Sequence, residues 1–119
     1  MSHPKFLADH NLNDQIVVGV LRRVPLAEFR LVRELGFATR DDVFLLDYAA
    51  GQGLMIVSHD VNTMPAAAYV RLAEGKSITG LFMVPQTFSV GPIIDDLVLV
   101  WSGSEREEWK NQVIFLPMR

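Results

Sequence analysis

Short apolar runs alternate along this chain with longer stretches whose apolar residues recur three and four positions apart. The first run, Lys5-Phe6-Leu7-Ala8, predicts a strand ending at Asp9. Leu12, Ile16, Val17, Val20 and Leu21 then follow helical spacing, with Asn11 or Asn13 as the cap and Pro25 as the stop. Glu28–Val32 alternates apolar and charged residues and predicts a second, half-exposed strand. Thr39-Arg40-Asp41-Asp42 has capping-box form, opening a helix through Phe44, Leu45, Tyr48 and Ala49 that Gly51 closes. Leu54-Met55-Ile56-Val57 follows Gly53 without a polar break, as in a strand covered on both faces.

The second half repeats the alternation. A helix from Met64 to Ala73 is expected to stop at Gly75, and Gly80–Val84 to form a fourth strand ended by Pro85. Pro92 occupies a first-turn position of a helix that turns Ile93, Ile94, Leu97, Val98 and Trp101 inward and ends at Gly103. Ser104-Glu105-Arg106-Glu107 is a second capping box opening a short turn with Trp109, and Gln112–Met118 reads as the last strand. The order β-α-β-α-β-α-β-α-β predicts a three-layer α/β/α sandwich with a mostly parallel five-stranded sheet, one domain over residues 1–119.

Composition narrows the function. With 119 residues, 50% of them hydrophobic, the chain suits a single core. Its mean hydropathy of +0.21 is too apolar for a disordered chain. No cysteine is present, which excludes disulfides, thiolate metal sites and a cysteine nucleophile, and fits a reducing cytoplasm. A net charge of −3 argues against nucleic-acid binding by bulk positive charge, though not against a nuclease whose acidic centre a metal neutralises. Met1-Ser2-His3-Pro4 lacks the basic start and long apolar run of a signal peptide, and no apolar stretch approaches the ~20 residues that span a bilayer. A soluble, cytoplasmic protein is expected.

The chemistry lies with the acids. In open α/β sheets, functional groups gather beyond the carboxyl ends of the strands. Asp9 follows the first predicted strand, Asp60 follows the third, Asn62 lies two residues further on, and Asp41-Asp42 begins the helix feeding the third strand. Converging carboxylates about 4 Å apart repel by roughly 4 kcal/mol at an effective dielectric of 20, so such a cluster calls for a cation. Oxygen-only donors favour Mg²⁺ or Mn²⁺ over zinc. The same residues also have plain structural uses: Asp41 and Asp42 as a helix start, Asp60 and Asn62 as turn formers. Asp9 is different, because a carboxylate directly after a buried strand is costly without a partner.

Three segments, Lys5-Phe6-Leu7-Ala8-Asp9-His10-Asn11-Leu12, Asp41-Asp42-Val43-Phe44-Leu45 and Val57-Ser58-His59-Asp60-Val61-Asn62, resemble the PIN-like family of short prokaryotic proteins. That family belongs to the PIN ribonuclease superfamily, which includes VapC-type toxins. Val84-Pro85-Gln86, Glu107-Glu108-Trp109 and Phe115-Leu116-Pro117 resemble one branch of it. The resemblance implies an Mg²⁺- or Mn²⁺-dependent endoribonuclease with Asp9, Asp41, Asp60 and Asn62 as the acidic set and Asp42 as a substitute for Asp41. It also implies an RNA substrate, an antitoxin protein as partner if the chain is a toxin, and a homodimer. Two positions depart from the family pattern: His10 stands where a glutamate is usual, and Asn62 where a second aspartate is usual. These changes motivate an alternative, a catalytically inert interaction module with the same fold. His10 reads either as a phosphate contact or proton carrier or as a solvated loop residue, and His59 as a surface residue beside the site. Arg22, Arg23, Arg30, Arg33 and Arg40 read as solvated surface charge, and Trp101 and Trp109 as core or dimer contacts.

Overall fold

A computed structural model describes residues 2–118. Strands β1 (Phe6–Ala8), β2 (Phe29–Leu31), β3 (Met55–Ser58), β4 (Leu81–Met83) and β5 (Val113–Phe115) alternate with helices α1 (Asp14–Arg23), α2 (Asp42–Gln52), α3 (Thr63–Ala73) and α4 (Val90–Gly103). A 3-10 turn, Arg106–Trp109, precedes β5. The strands form one five-stranded sheet in the order β2-β1-β3-β4-β5, and every neighbouring pair is parallel. The expected α/β class and strand count are therefore observed.

Strand alternation sorts the core into two halves. Phe6, Ala8, Met55, Val57, Phe82 and Val84 pack against α1 and α4. Leu7, Ile56, Leu81 and Met83 pack against α2 and α3 on the other face. Every residue of β1, β3 and β4 is buried, as expected for parallel strands covered on both sides. The edge strands β2 and β5 contain no fully buried residue. Each large side chain removed wholly from water contributes about 1.5–3 kcal/mol, so these central strands dominate the hydrophobic stabilisation. Gly19 lets α1 and α4 approach closely, because an added Cβ would collide with Ile94.

Several boundaries differ from expectation. The cap of α2 is Asp41, whose carboxylate accepts the Phe44 N–H at 2.9 Å; Thr39 is not the cap. Helix α2 runs through Gly51 and closes at Gly53, where the backbone turns left-handed (φ +69°). Gly51 needs no such geometry and is an ordinary helical residue. The second capping box is displaced by one residue, with Glu105 and Glu108 as its reciprocal pair. Ser104 instead donates to the Val100 carbonyl and accepts from the Trp109 indole. Of the two candidate caps of α1, Asn13 does the work, accepting the Gln15 N–H at 2.9 Å. Trp109 packs edge-on against Phe82, 5.3 Å between centroids, and Trp101 stacks on His3, so both tryptophans are partly buried packing residues. Among the described residues no helix is long and apolar enough to cross a membrane.

Candidate functional site

Strand order reverses at β1: the chain moves from β1 outward to β2, then returns to β3 on the opposite side of β1. At such a reversal the connections leave toward opposite faces, and a crevice opens beyond the carboxyl ends of the two strands. Asp9 follows β1 and Asp60 follows β3, and these strands are hydrogen-bonded neighbours. The sequence thus sets one acid on each side of the crevice.

Asp9 is only 7% exposed and Ser58 is fully buried. The Ser58 hydroxyl donates to Asp9 Oδ2 at 2.7 Å and accepts the Asp60 N–H at 3.0 Å. A single buried hydroxyl therefore ties the two strand ends together. Asp9 Oδ1 lies 3.0 Å from Nδ1 of His10, whose Nε2 lies 3.2 Å from the Phe37 carbonyl. Both ring nitrogens of His10 face oxygen acceptors, which fixes the plane of the ring. His10 is half-buried in this network and is not a solvated loop residue.

Adjacent aspartates at the start of α2 divide two tasks. Asp41 is exposed and caps the helix. Asp42 is half-buried, and burial pushes its carboxyl above the usual carboxylate range. The charges of Asp9 and Asp60 push in the same direction, against the Thr63 hydroxyl and His10. Asp42 is thus in electrostatic contact with Asp9 and Asp60. The Asp60 carboxyl is held below its usual range, chiefly by the Thr63 hydroxyl and also by backbone N–H groups at the start of α3. Asn62 is exposed at the amino end of α3 and its side chain makes no cap bond; its backbone N–H donates to Asp60 Oδ1 at 3.2 Å.

The surroundings add cations. A cavity of about 500 Å³ opens beside Asp9, lined by His10, Asn11, Arg33, Thr39 and Arg40 among others. The Arg40 guanidinium lies 4.5 Å from the centroid of the Phe44 ring, and Arg33 is held by Asp14 at 2.9 Å. Two arginines read from sequence as solvated charge therefore border the acidic crevice. Arg23 and Arg30 do not; they pair with Asp95 and Glu28. A second cavity, of about 420 Å³, shares Asn11 and is walled by His59, Gln86 and Phe88. His59 is a strut rather than a free surface group: its ring donates from Nδ1 to the Val84 carbonyl at 2.8 Å and accepts the Asn13 N–H at Nε2, 3.2 Å away. Thr63 went unremarked in the sequence, although the three-residue spacing from Asp60 is that of a side chain closing on a helix start.

The donor chemistry suits a hard cation: Asp9, Asp42 and Asp60 offer only oxygens. Among the described residues, however, no three His, Asp or Glu side chains stand close enough together to hold one ion. The carboxylates share an edge and a field, and Asp60 is turned toward Thr63. Comparison with protein-family models, with curated proteins and with solved structures gave no match to this chain.

Proposed function

We propose that this chain is a PIN-like, divalent-cation-dependent endoribonuclease that hydrolyses RNA phosphodiester bonds at the crevice between β1 and β3. The observation that carries the reading is the placement of Asp9 and Asp60 on neighbouring strands at the reversal of strand order, with Asp42 charge-coupled to both. In this reading Asp9, Asp42 and Asp60 would hold Mg²⁺ or Mn²⁺ only once the ion draws them together and Asp60 leaves Thr63, since among the described residues no three acids meet as they stand. An ion held there would supply Lewis acidity, offsetting phosphate charge and lowering the pKa of water. Ser58 fixes the Asp9 carboxylate relative to β3, and His10 holds its other oxygen. Arg33 and Arg40 border the cavity where a phosphate would approach, positioning the polymer without reading its sequence. Asp41 serves as a helix cap, and Asn62 stands as an outer carbonyl donor.

Purified protein incubated with structured and single-stranded RNA tests this directly. Cleavage should require Mn²⁺ or Mg²⁺, stop with EDTA, and vanish in an Asp9→Asn, Asp60→Asn double variant. Cleavage that survives in that variant would assign the activity to a contaminant. If the chain is a toxin, an antitoxin protein should suppress the cleavage, and a homodimer should appear by light scattering.

A second reading, an inert interaction module, has an observation of its own. The oxygens of Asp9 and Asp60 are already satisfied by His10, Ser58, Thr63 and backbone N–H groups. A ligand that binds only the folded state raises the melting midpoint, by about 2.7 kcal/mol of stability at a hundredfold excess over Kd. A midpoint that millimolar Mn²⁺ leaves unmoved favours the module over the nuclease.

A further inference from the structure

The cavity of about 420 Å³ lies at the carboxyl edge of the sheet, between the starts of α1 and α4. Its floor is apolar, made by the buried residues Ile16 of α1, Val84 after β4 and Ile93 of α4. Its rim carries the amides of Asn11, Asn13 and Gln86 together with the ring of Phe88. Phe88 is 49% exposed and belongs to neither half of the core. An aromatic ring in that position offers a flat apolar face to a ligand.

The walls are fixed by the chain itself. His59 donates from Nδ1 to the Val84 carbonyl and accepts the Asn13 N–H at Nε2, bracing the exits of β3 and β4 against the start of α1. With both nitrogens engaged, His59 gives the cavity shape and not a hydrogen bond. Asn13 uses Oδ1 on the Gln15 N–H at 2.9 Å, which leaves its amide NH₂ as a donor. Asn11 and Gln86 are exposed, and each amide offers both a donor and an acceptor.

Charge decides the kind of ligand. No Asp, Glu, Lys or Arg lines this cavity, whereas the neighbouring cavity of about 500 Å³ contains Asp9, Arg33 and Arg40, and Asn11 lines both. Asn11 has φ +61°, within a turn closed by the Leu12 N–H on the Asp9 carbonyl at 3.3 Å, so one turn of chain separates the two cavities. A nucleotide divides in the same way, into an anionic phosphate and a flat, uncharged base with donors and acceptors along its edge. An amide rim over an apolar floor suits the base, and the arginines next door suit the phosphate.

We propose that this cavity takes one unpaired base of the RNA, stacked on Phe88 and read along its edge by Asn11, Asn13 and Gln86. The inference rests on the nuclease reading for its ligand and adds the substrate class, single-stranded or looped RNA. A base within a duplex is stacked on its neighbours and cannot enter a concave site without leaving the helix. The volume falls within the roughly 300–1,000 Å³ of small-ligand sites.

Tetra-adenylate and tetra-uridylate are titrated into the full chain in EDTA at constant ionic strength, beside an abasic tetramer of the same sugar-phosphate backbone, and followed by amide NMR shifts. Expected are saturable shifts at Asn13, Val84, Gln86, Phe88 and Val90 with both base-bearing tetramers and none there with the abasic one. Phe88→Ala should weaken binding of the base-bearing tetramers about tenfold, the loss of one stacked base, and leave the affinity for the abasic tetramer as it was. Phe88 is exposed, so its replacement leaves the core intact. Equal shifts with the abasic tetramer, or wild-type affinity in Phe88→Ala, would overturn the proposal. Because binding is read without metal, the two readings fail separately. Base-dependent shifts in a chain that cleaves nothing uphold the cavity and sink the nuclease. Cleavage by Phe88→Ala at the wild-type KM upholds the nuclease and sinks the cavity.

Discussion

Asp41 and Asp42 are neighbours in sequence with opposite assignments, and residue-scale substitutions separate them. Burial and the charges of Asp9 and Asp60 raise the folded-state pKa of Asp42 above its unfolded value. The stabilisation associated with its protonated form is full below the unfolded pKa and is lost as pH rises through the raised one. Ionised Asp42 therefore destabilises the metal-free protein at neutral pH. Asp42→Asn should raise the melting midpoint at pH 7 by the equivalent of under about 1 kcal/mol, since the group remains partly solvated, and leave it unchanged near pH 3. The same substitution should remove the stabilisation given by Mn²⁺. Asp41→Ala should do the reverse, losing about 1 kcal/mol as a missing helix cap and keeping the Mn²⁺ response. Equal Mn²⁺ responses in the two variants would contradict the division of tasks. Ser58→Ala probes the bridge between β1 and β3: it leaves a buried Asp9 oxygen unmet and should cost about 1–3 kcal/mol in chemical denaturation. A loss within a few tenths of a kcal/mol would mean that Asp9 readily finds another donor. The strand-end placement of Asp9 and Asp60 was legible in the sequence because strand ends are marked by the loss of apolar character. That Asp42 is half-buried while Asp41 is exposed was not, since it depends on which of two side chains the first helical turn rotates toward the sheet.

At the scale of elements, the number, order and type of strands and helices followed from periodicity, and the errors lay at caps. Polar residues cluster at each helix end, so a pattern of residue types admits registers one or two positions apart. Thr39 and Ser104 both begin plausible capping boxes. The structure uses Asp41 and Glu105 instead, because their carboxylates meet the backbone N–H three positions on. At the other end of α2 the question was which glycine turns left-handed. Gly51 is exposed, with nothing within 4 Å of an added Cβ, whereas Gly53 has φ +69° and faces Arg106. Gly51→Ala should therefore stabilise the chain by about 0.5–1 kcal/mol, through lower unfolded-state entropy and better helix propensity. Gly53→Ala should destabilise it by about 1–2 kcal/mol from backbone strain alone, with a further loss from displacing the guanidinium. Thermal denaturation of the two variants compares them on one scale; a destabilised Gly51→Ala would return the helix end to the earlier glycine.

For the molecule as a whole, the parallel sheet could be expected from alternating strands and helices, but the spatial order of the strands could not. Order depends on which side of β1 each crossover lands, a choice settled by how the helix faces fill the two halves of the core. That choice creates the crevice: β3 beside β1 ends Asp9 and Asp60 on neighbouring strands, and β2 on the other side of β1 makes the reversal. The same arrangement distributes stability. Strands β1, β3 and β4 are buried throughout, and β2 and β5 form half-covered edges. Local opening follows buried contact and exposed hydrogen bonding, so amides of β1, β3 and β4 should exchange with solvent only through global unfolding, while those of β2 and β5 exchange through smaller openings. Native-state hydrogen exchange at increasing denaturant separates the two classes by the slope of each amide. If β1 and β3 exchanged through openings as small as those of the edges, the acids would sit on a yielding support. A site of this kind needs its donors held by rigid elements. Because the two acids directly follow the best-covered strands and Asp42 lies in the first turn of a helix, Mn²⁺ should protect the start of α2 more than it protects β1 or β3. The ion would then tighten the one carboxylate that the sheet does not already fix.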